Sequence, residues 1–419
     1  MSLLLVHAAQ LLTLAGPDAA RRGPAMGEIG LVPDGAVLVE NGRVFRAGPT
    51  DAVTRNLPSG LSPIEEHDCR GMVVTPGLVD SHTHLVFAAP RLADYERRLA
   101  GMDYAAIAAA GGGIKSSVEG VRQASADALA DAAAQWLAAA RRHGSTTVEV
   151  KTGYGLELEA ERKSLRAAAA AAARLNLDAP RTFLGAHIVP PGISREAYVA
   201  AICEQMLPAF TAPAALAYAP EFADAFCDPA GFTLAETRQV LMTAKRHGLA
   251  LKLHAEQFAH CGGVGLGIEL GAVSVDHLDA VSGADAALLS RAETVATLIP
   301  GANMFLGQPY PPARMLIESG AAVALATDFN PGTCPIVSLP LVMSLACNGM
   351  RLTPAEAFTA VTINGAAALA RAAECGSLAP GKRADVTVFA ADDYRAVPYY
   401  AGQNLCRAVV QAGTIHGNL

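Results

Sequence analysis

Two histidines stand one residue apart in the stretch GLVDSHTHLVFAAPR, residues 77–91. In an extended segment the side chains at i and i+2 point to the same face, so His82 and His84 can reach one ion together. Neutral imidazoles are suitable ligands for Zn²⁺ or Fe²⁺, and three or four protein ligands with one open position are typical of a catalytic metal. Because an isolated HxH pair often occurs by chance, the pair alone does not establish a metal site.

Other residues of this kind follow other apolar runs of the chain. They are Lys151 and Tyr154 after STTVEVKTG, His187 in RTFLGAHIV, His254 in LALKLHAEQ, His277 in AVSVDHLDA and Asp328 in AAVALATDFN. Taken singly, such a histidine is more often a hydrogen-bonded core residue, and such an aspartate is more often a helix cap. Since the chain has only 11 histidines, their joint placement at run ends favours one shared site.

The apolar runs alternate with alanine-rich stretches that predict helices. Two of these, SADALADAAAQWLAAARRHG and TLAETRQVLMTAKRHG, end at glycine, the usual helix stop. With MVVTPGLVDSH, PEFADAFCD and ETVATLIP, the runs make eight β-then-α units. Eight units of buried parallel strand and helix predict an α/β fold, a TIM-like (β/α)₈ barrel whose catalytic groups gather at the C-terminal strand ends. An open doubly wound sheet remains the alternative, since periodicity does not exclude it.

Both ends of the chain are β-rich. The opening MSLLLVHAAQLLTL lacks a basic segment and predicts a strand rather than a signal peptide. In GAVLVENGRVFRAG, Asn41-Gly42 predicts a type I′ hairpin turn, and GSLAPGKRADVTVFAADD predicts further strands. We expect a small β-sandwich domain built from residues 1–74 and 374–419, around a catalytic barrel of residues 75–373.

Composition and charge exclude several classes of protein. The 419 residues are 52% hydrophobic and carry a formal charge of −7 without a basic block, so nucleic acid is not an expected partner. The eight cysteines have no CxxC spacing and predict reduced thiols in the cytoplasm. No uncharged run reaches the roughly 18–20 residues of a membrane-spanning helix, so a soluble protein without a membrane partner is expected. AAAGGGIKSS matches neither a dinucleotide nor a P-loop pattern and predicts a flexible loop.

Longer motifs resemble a known family. VVTPGLVDSHTHLVF, LATDFN and GSLAPGKRADVTVF resemble the metal-dependent amidohydrolase superfamily, in which a (β/α)₈ barrel is flanked by a small β-domain from both termini. ERRLAGMDYAAIAAAGGGIKSSV, VEVKTGYGL, FLGAHIVPP, KLHAEQF, ATDFNPGTCP and VPYYAGQN resemble its members that open an imidazolone ring in histidine degradation. The resemblance covers nearly the whole chain, and it implies hydrolysis of a cyclic amide by a metal-activated water. It also implies a homodimer.

The resemblance implies roles for individual residues. The implied metal ligands are His82, His84, His254 and Asp328. The implied contacts to a carboxylate-bearing small substrate are Arg91, Tyr154, His187, Gln257, Asn330, Gly332 and Thr333. The implied catalytic residues are Asp328, His277 and Gln257.

The chemistry of ring opening suits these residue types. A metal ion lowers the pKa of a bound water towards 7, and Asp328 is placed to take its proton and deliver it to the leaving nitrogen. His277 would stabilise the oxyanion, and the forked guanidinium of Arg91 would hold the substrate carboxylate. Without that site, Arg91 would be interpreted as a solvated surface arginine.

Two departures from related enzymes narrow the prediction. The fourth run, FADAFCD, lacks the lysine that bridges two metals in many amidohydrolases, so we predict one Zn²⁺ or Fe ion per subunit and an electrostatic or structural role for Lys151. Related deaminases usually carry glutamate where this chain has Gln257, and an amide cannot transfer a proton. Glu256 is expected to point away.

Three alternatives remain at this point. The first is another amidohydrolase, a deaminase or hydantoinase, which Gln257 and the missing lysine count against. The second is a catalytically dead barrel used for binding, which would be expected to have lost ligands. The third treats the histidines as ordinary core residues.

Overall fold

Strands from the two ends of the chain form one sheet, and strands from the middle form another. The structure is a computed structural model that describes residues 2–55, 57, 61, 63–102, 106–107 and 110–419. Its strands are β1 Ser2–Leu12, β2 Leu31–Glu40, β3 Arg43–Pro49, β4 Ile64–Asp68, β5 Val73–Pro76, β6 Leu78–Asp80, β7 Ser145–Val148, β8 Val150–Lys151, β9 Arg181–Ala186, β10 Phe222–Cys227, β11 Ala250–Ala255, β12 Ser274–His277, β13 Val295–Leu298, β14 Val323–Leu325, β15 Val386–Phe389, β16 Cys406–Gln411 and β17 Thr414–Gly417.

Helices connect most of the strands in the middle of the chain. The α-helices are Thr50–Thr54, Leu92–Leu99, Ile114–Gln123, Ala126–Arg142, Leu158–Leu175, Arg195–Ala201, Leu207–Thr211, Leu234–Arg246, Gly263–Leu270, Gly283–Leu289, Pro300–Leu306, Ala313–Glu318, Leu339–Met350, Pro354–Ala360, Ile363–Ala367 and Ala396–Tyr399. Short 3₁₀ segments are Gly23–Gly27 and Pro213–Ala215, and Ile202–Met206 is a π-helical turn. None of the described helices combines the length and the apolar character needed to cross a membrane.

The terminal sheet has eight strands in the order β17-β16-β15-β5-β1-β2-β3, with β4 pairing to β1. The prediction that the chain opens with a strand is confirmed by β1, and the Asn41-Gly42 turn has the positive φ values of 52° and 74° that a type I′ turn needs. Hydrogen bonds join these strands in a single sheet where the sequence analysis expects a sandwich. Alternate β1 side chains enter two different apolar clusters, so both faces of the sheet are covered.

The middle of the chain forms a curled, barrel-like parallel sheet. Seven strands run in the order β14-β13-β12-β11-β10-β9-β8, and β6 pairs in parallel with β7. Single bridges extend this pairing, from Thr147 to Asp178 and from Thr83 to Phe329. Each of the eight apolar runs predicted from sequence contains a strand, and the C-terminal ends of these strands meet at one edge.

The two quoted helical stretches are confirmed, and their ends follow the predicted signals. The Ser125 hydroxyl caps Ala126–Arg142, and Gly144 follows at φ 102°. Thr233 and Glu236 form a capping box at the start of Leu234–Arg246. These caps hold the helices in register with the strands that follow them.

The run MVVTPGLVDSH is divided between the two sheets. Its first part, β5, pairs with β1 and β15 in the terminal sheet, and only β6 pairs with β7. The sequence analysis places the barrel from residue 75, whereas the change of sheet falls at Gly77. An added Cβ at Gly77 would overlap the Thr146 side chain, so the close approach of the two sheets requires glycine.

The glycine-rich stretch leads into the helix Ile114–Gln123. Gly113 adopts φ 72°, and its N–H donates to Asp94 Oδ2 at 2.7 Å. This bond ties the loop to the helix Leu92–Leu99. Residues 103–105 and 108–109 of the motif ERRLAGMDYAAIAAAGGGIKSSV lie outside the described residues.

Candidate active site

The residues predicted for the site surround one cleft at the C-terminal ends of the strands. Its lining is His84, Arg91, Ile114, Tyr154, His187, Phe226, His254, Gln257, Phe258, His277, Asp328, Asn330 and Thr333. Of the predicted residues, His82 is fully buried beside this lining and Gly332 lies against Arg91. The structure therefore brings the whole predicted set together.

Three imidazole nitrogens and one carboxylate oxygen converge in the cleft. His84 Nε2 lies 3.1 Å from His82 Nε2 and 3.3 Å from His254 Nε2. Asp328 Oδ1 lies 3.4 Å from His84 Nε2 and 3.6 Å from His82 Nε2. Two triads of potential ligand atoms, each within 4.8 Å, share His82: one is His82, His84 and His254, and the other is His82, His277 and Asp328.

Two buried aspartates lie against two of these rings. His82 Nδ1 is hydrogen-bonded to Asp276 Oδ2 at 2.6 Å, and His254 Nδ1 lies 3.0 Å from Asp224 Oδ2 without a hydrogen bond of good geometry. An ionised carboxylate only accepts hydrogen bonds, so His82 carries its proton on Nδ1 and its Nε2 presents a lone pair. Lone pairs directed at one another need a cation between them, and histidines oriented by carboxylates are typical of metal centres.

Burial keeps four histidines of the site, His82, His84, His187 and His277, in their neutral form. Burial is the main cause that holds the pKa values of His82, His84 and His277 well below their ordinary range, and neighbouring positive charge adds to it. Burial likewise lowers the pKa of His187 to about 3. A neutral imidazole is the form that binds a metal ion.

The groups around the converging atoms are held by backbone contacts. His187 Nδ1 lies 3.0 Å from the Gly153 carbonyl oxygen, and its ring stacks on His84 with centroids 5.4 Å apart. Tyr154 lies beside both rings. His277 adopts φ 82°, which is unusual for a residue with a side chain, and its ring centroid lies 5.2 Å from that of His254.

Asp328 is fixed by its own loop. It adopts φ 51°, and its N–H donates to the His82 carbonyl at 2.9 Å. Asn330 Nδ2 donates to the Asp328 carbonyl oxygen at 2.8 Å and to its Oδ2 at 3.1 Å, while Asn330 Oδ1 accepts from the N–H groups of Gly332 and Thr333. Asn330 therefore orients Asp328 and the loop in addition to lining the cleft. Burial raises the pKa of Asp328 well above its ordinary value.

Arg91 has donor capacity left for a ligand. Its backbone N–H donates to the Pro331 carbonyl at 2.8 Å, and its guanidinium packs so closely on Gly332 that a Cβ there would overlap it. Its buried Nε has no hydrogen-bond partner among the described residues. A buried unpaired donor on a cation at the cleft is suited to an anionic ligand.

Gln257 and Glu256 lie on opposite sides of the backbone. Gln257 lines the cleft. Glu256 adopts φ 55° and turns away, with Oε2 accepting from the Cys261 N–H at 2.6 Å and Oε1 from the Val264 N–H at 3.2 Å. Glu256 thus caps the start of the helix Gly263–Leu270 and is unavailable to a substrate.

A buried charge cluster beneath the histidines was missed by the sequence analysis. Its members are Glu149, Lys151, Asp224, Lys252 and Asp276, all with at most 1% exposure. Only Lys151 was considered, as an electrostatic or structural residue, and its ammonium contacts Asp224 Oδ2 at 2.7 Å and Glu149 at 3.1 Å. Part of the signal was present in the sequence, because Asp224 and Lys252 interrupt the largely apolar strands β10 and β11.

Comparisons with known proteins agree on one family. Residues 73–417 match the model of the amidohydrolase family. The chain is 42% identical to an imidazolonepropionase of Chloroflexus aggregans, covering 98% of both chains, and 43% identical to one of Symbiobacterium thermophilum, covering 99% of this chain and 97% of the other. The structure resembles E. coli guanine deaminase with a TM-score of 0.71, 14% identity and full coverage of both chains, which is a likeness of fold.

Proposed function

The chain belongs to the amidohydrolase family, and we propose that it performs the reaction of its imidazolonepropionase relatives. In that reaction the cyclic amide of 4-imidazolone-5-propanoate is hydrolysed to N-formimidoyl-L-glutamate, a step of histidine degradation. The observation that carries the proposal is an identity of 42–43% over nearly the full length of these relatives. The enzyme is thus a hydrolase of carbon–nitrogen bonds in cyclic amides.

We propose that His82, His84, His254 and Asp328 hold one Zn²⁺ or Fe ion per subunit. The support is the grouping of His82, His84 and His254, the position of Asp328 Oδ1 at 3.4 and 3.6 Å from two of these rings, and the hydrogen bond that orients His82. When bound, the ion supplies Lewis acidity that polarises the amide carbonyl and acidifies water. Imidazole and carboxylate ligands accept both metals.

The remaining roles follow from where each side chain lies. Arg91 binds the propanoate through its free guanidinium donors, with Tyr154, His187, Asn330, Gly332 and Thr333 around the substrate. Asp328 takes the proton of the attacking water and passes it to the leaving ring nitrogen. His277 stabilises the developing oxyanion.

Gln257 distinguishes ring opening from deamination. It lines the cleft at the position where a deaminase needs a proton donor, and its amide can hydrogen-bond the ring but cannot exchange protons. Glu256 is committed to a helix cap. The cleft therefore lacks the acid that a guanine-type deaminase needs, although the fold is shared.

We further propose that the middle sheet is a closed (β/α)₈ barrel, residues 75–373, with residues 1–74 and 374–419 forming the small domain. The bridge from Thr83 to Phe329 and the bond from the Asp328 N–H to the His82 carbonyl support closure between β14 and β6. Eight free cysteines support a cytoplasmic location. The homodimer stays a prediction.

The test is to load the protein with Zn²⁺ or Fe²⁺ and follow freshly generated imidazolonepropionate by its ultraviolet absorbance. We expect metal-dependent loss of absorbance and formation of N-formimidoyl-L-glutamate, identified by mass spectrometry. Turnover of a purine or pyrimidine in place of the imidazolone would overturn the proposal.

A further inference from the structure

Lys151 ends β8 as a fully buried lysine, and the reaction proposed above gives it no task. Its ammonium donates to Asp224 Oδ2 at 2.7 Å and to Glu149 Oε1 at 3.1 Å, and it lies 3.7 Å from Asp276 Oδ2. Glu149 is held in turn by the Thr182 hydroxyl. The three donors of the ammonium are therefore surrounded by three carboxylates, Glu149 between β7 and β8, Asp224 on β10 and Asp276 on β12.

The two aspartates use their oxygens in the same way. Asp276 Oδ1 accepts from the Ser274 hydroxyl at 2.6 Å, and Asp224 Oδ1 accepts from the N–H groups of Ala225 and His254 at 2.7 and 3.1 Å. The Oδ2 atom of each then faces both a histidine Nδ1 and the Lys151 ammonium. One oxygen of each aspartate fixes the carboxylate locally, and the other connects the lysine to an imidazole.

We infer that Lys151 is a positioning residue that couples two imidazoles of the proposed metal centre. Its ammonium holds Asp224 by a hydrogen bond and faces Asp276 across 3.7 Å, and these carboxylates lie against the rings of His254 and His82. The inference rests on the proposed metal function, because the rings need a common orientation only when they share an ion.

A positioning role and a purely electrostatic role predict opposite effects on metal binding. A buried positive charge near a bound cation repels it, so removing that charge alone would tighten binding. Removing a group that orients two ligands loosens binding, and losses of such outer contacts typically cost about 10–100-fold in metal affinity. The sign of the change therefore decides between the two roles.

The experiment uses Lys151→Met in the full-length, Zn²⁺-loaded protein. Methionine keeps the length of the side chain and removes its charge and donors. We expect zinc transfer to a chromogenic chelator to become about 10–100-fold faster, and we expect the visible spectrum of the Co²⁺-substituted protein to change with the ligand geometry. Zinc release at the parent rate or slower, with an unchanged Co²⁺ spectrum, would overturn the inference.

Lys252→Met is the matched control. Lys252 is also fully buried in the cluster and lies at similar distances from Glu149 and Asp276, 3.6 and 3.8 Å. Its ammonium, however, donates to the backbone carbonyls of Ser81 and Ala368 at 2.9 and 3.2 Å, whereas that of Lys151 donates to Asp224. We expect Lys252→Met to lower the melting temperature without faster zinc release from the folded protein. Equal acceleration in both variants would show a general loosening of the core and would contradict the inference.

A second variant keeps the test decisive if Lys151→Met does not fold. Asp224→Asn retains the shape of the side chain but weakens its hold on the lysine, and we expect faster zinc release from it as well. Where Lys151→Met does fold, combining it with Asp224→Asn should accelerate release by less than the product of the two single effects, because Lys151 acts through Asp224. Unchanged release from Asp224→Asn contradicts the inference. Zinc release needs no turnover, so a protein that retains zinc but does not open imidazolone would refute only the proposed reaction.

Discussion

His82 and Arg91 lie in one stretch of 15 residues and have separable tasks in the cleft. The imidazole of His82 is aimed at the other ligand atoms, whereas the guanidinium of Arg91 lies over Gly332 with a free donor. In the proposed function, the site would divide at residue scale into atoms that hold an ion and atoms that hold a substrate carboxylate.

This division predicts different losses for two alanine variants. His82→Ala should abolish metal retention, because it removes a ligand from the centre of the set. Arg91→Ala should retain the metal and raise KM by at least about 30-fold, since it deletes the charged partner of the propanoate. Metal content by mass spectrometry and steady-state kinetics measure the two effects, and equal metal loss in both variants would contradict the role given to Arg91.

Gly332 tests the position of Arg91 without touching its charge. A Cβ at this position would overlap the guanidinium, so Gly332→Ala should displace Arg91 and raise KM by roughly tenfold with little change in metal content. The control is Gly283→Ala, where an added Cβ meets nothing within 4 Å. A normal KM in Gly332→Ala would show that Arg91 need not lie there.

His187 predicts a pH dependence of stability. Its folded pKa of about 3 lies below the ordinary value of 6.5, so between these values only the unfolded chain is protonated at this ring. The stabilising contribution is fully present above pH 6.5 and is lost as the pH falls towards 3. Asparagine can donate to the Gly153 carbonyl in place of the imidazole. His187→Asn should therefore reduce the slope with which the free energy of unfolding falls at low pH, by up to about 1.4 kcal/mol per pH unit. Denaturant titrations between about pH 6 and about pH 4 measure the slope, and equal slopes would refute the prediction.

At the scale of elements, the loop after β8 depends on one helix residue. The buried carboxylate of Glu161, on Leu158–Leu175, accepts from the N–H groups of Gly153, Gly155 and Leu156 at 3.2, 2.7 and 2.8 Å. Gly153 adopts φ 109°, and its carbonyl contacts His187. The helix therefore holds the loop that carries Tyr154 and the backbone contact of His187.

Glu161→Gln should weaken substrate binding from a distance. The NH₂ group of glutamine is a donor, and it would face backbone N–H groups of the loop, which are donors too. At least one charge-assisted hydrogen bond is therefore lost, which costs about 1.5–3 kcal/mol. We expect roughly a tenfold rise in KM with metal content unchanged. Glu159→Gln on the exposed face of the same helix is the control, and parallel changes in both variants would contradict the role of Glu161.

Sequence reasoning succeeded where the signal was local. The Asn41-Gly42 turn, the glycine stops of two helices and the eight apolar runs depend on neighbouring residues, and each is present. The run MVVTPGLVDSH is divided between two sheets at Gly77 because its first part pairs with β15 and Gly77 packs against Thr146. Both partners are distant in sequence, so no local pattern reveals the division.

The same limit applies to the site. The strand-end histidines could be grouped because parallel strands bring their ends together. The contacts of Asp224 and Asp276 could not be predicted, because a charge inside an apolar run does not show which strand supplies its partner. Asn330 was interpreted as a substrate contact only, since its bonds to Asp328 and Thr333 depend on the turn of its loop.

For the whole molecule, Arg383 joins the two sheets. Its guanidinium contacts Asp178 at 2.7 Å and the Thr147 hydroxyl at 2.7 Å on the barrel side, and Asp385 at 2.6 Å beside β15. Its side chain is 24% exposed, so most of this network lies away from water.

Arg383→Met should destabilise the fold without changing the chemistry. Removing the cation leaves largely buried carboxylates unpaired, at a cost of roughly 3 kcal/mol of unfolding free energy. Chemical denaturation measures this cost, and kcat of the folded protein should be unchanged. Arg395→Met, which breaks the exposed pair with Asp393, should cost at most about 1 kcal/mol; a similar loss in both would refute the bridging role.

The position of β5 between β1 and β15 also has a consequence for biosynthesis. The edge of β5 that pairs with β15 stays open until Val386 leaves the ribosome. At about 5–20 residues per second, the roughly 300 residues between them take roughly 15–60 s to translate. During that interval the nascent chain carries an uncovered strand edge, the kind of surface that chaperones shield from aggregation. Profiling of the ribosomes that carry a nascent-chain chaperone on this messenger RNA should therefore show that the chaperone stays bound until translation has passed the codons of β15.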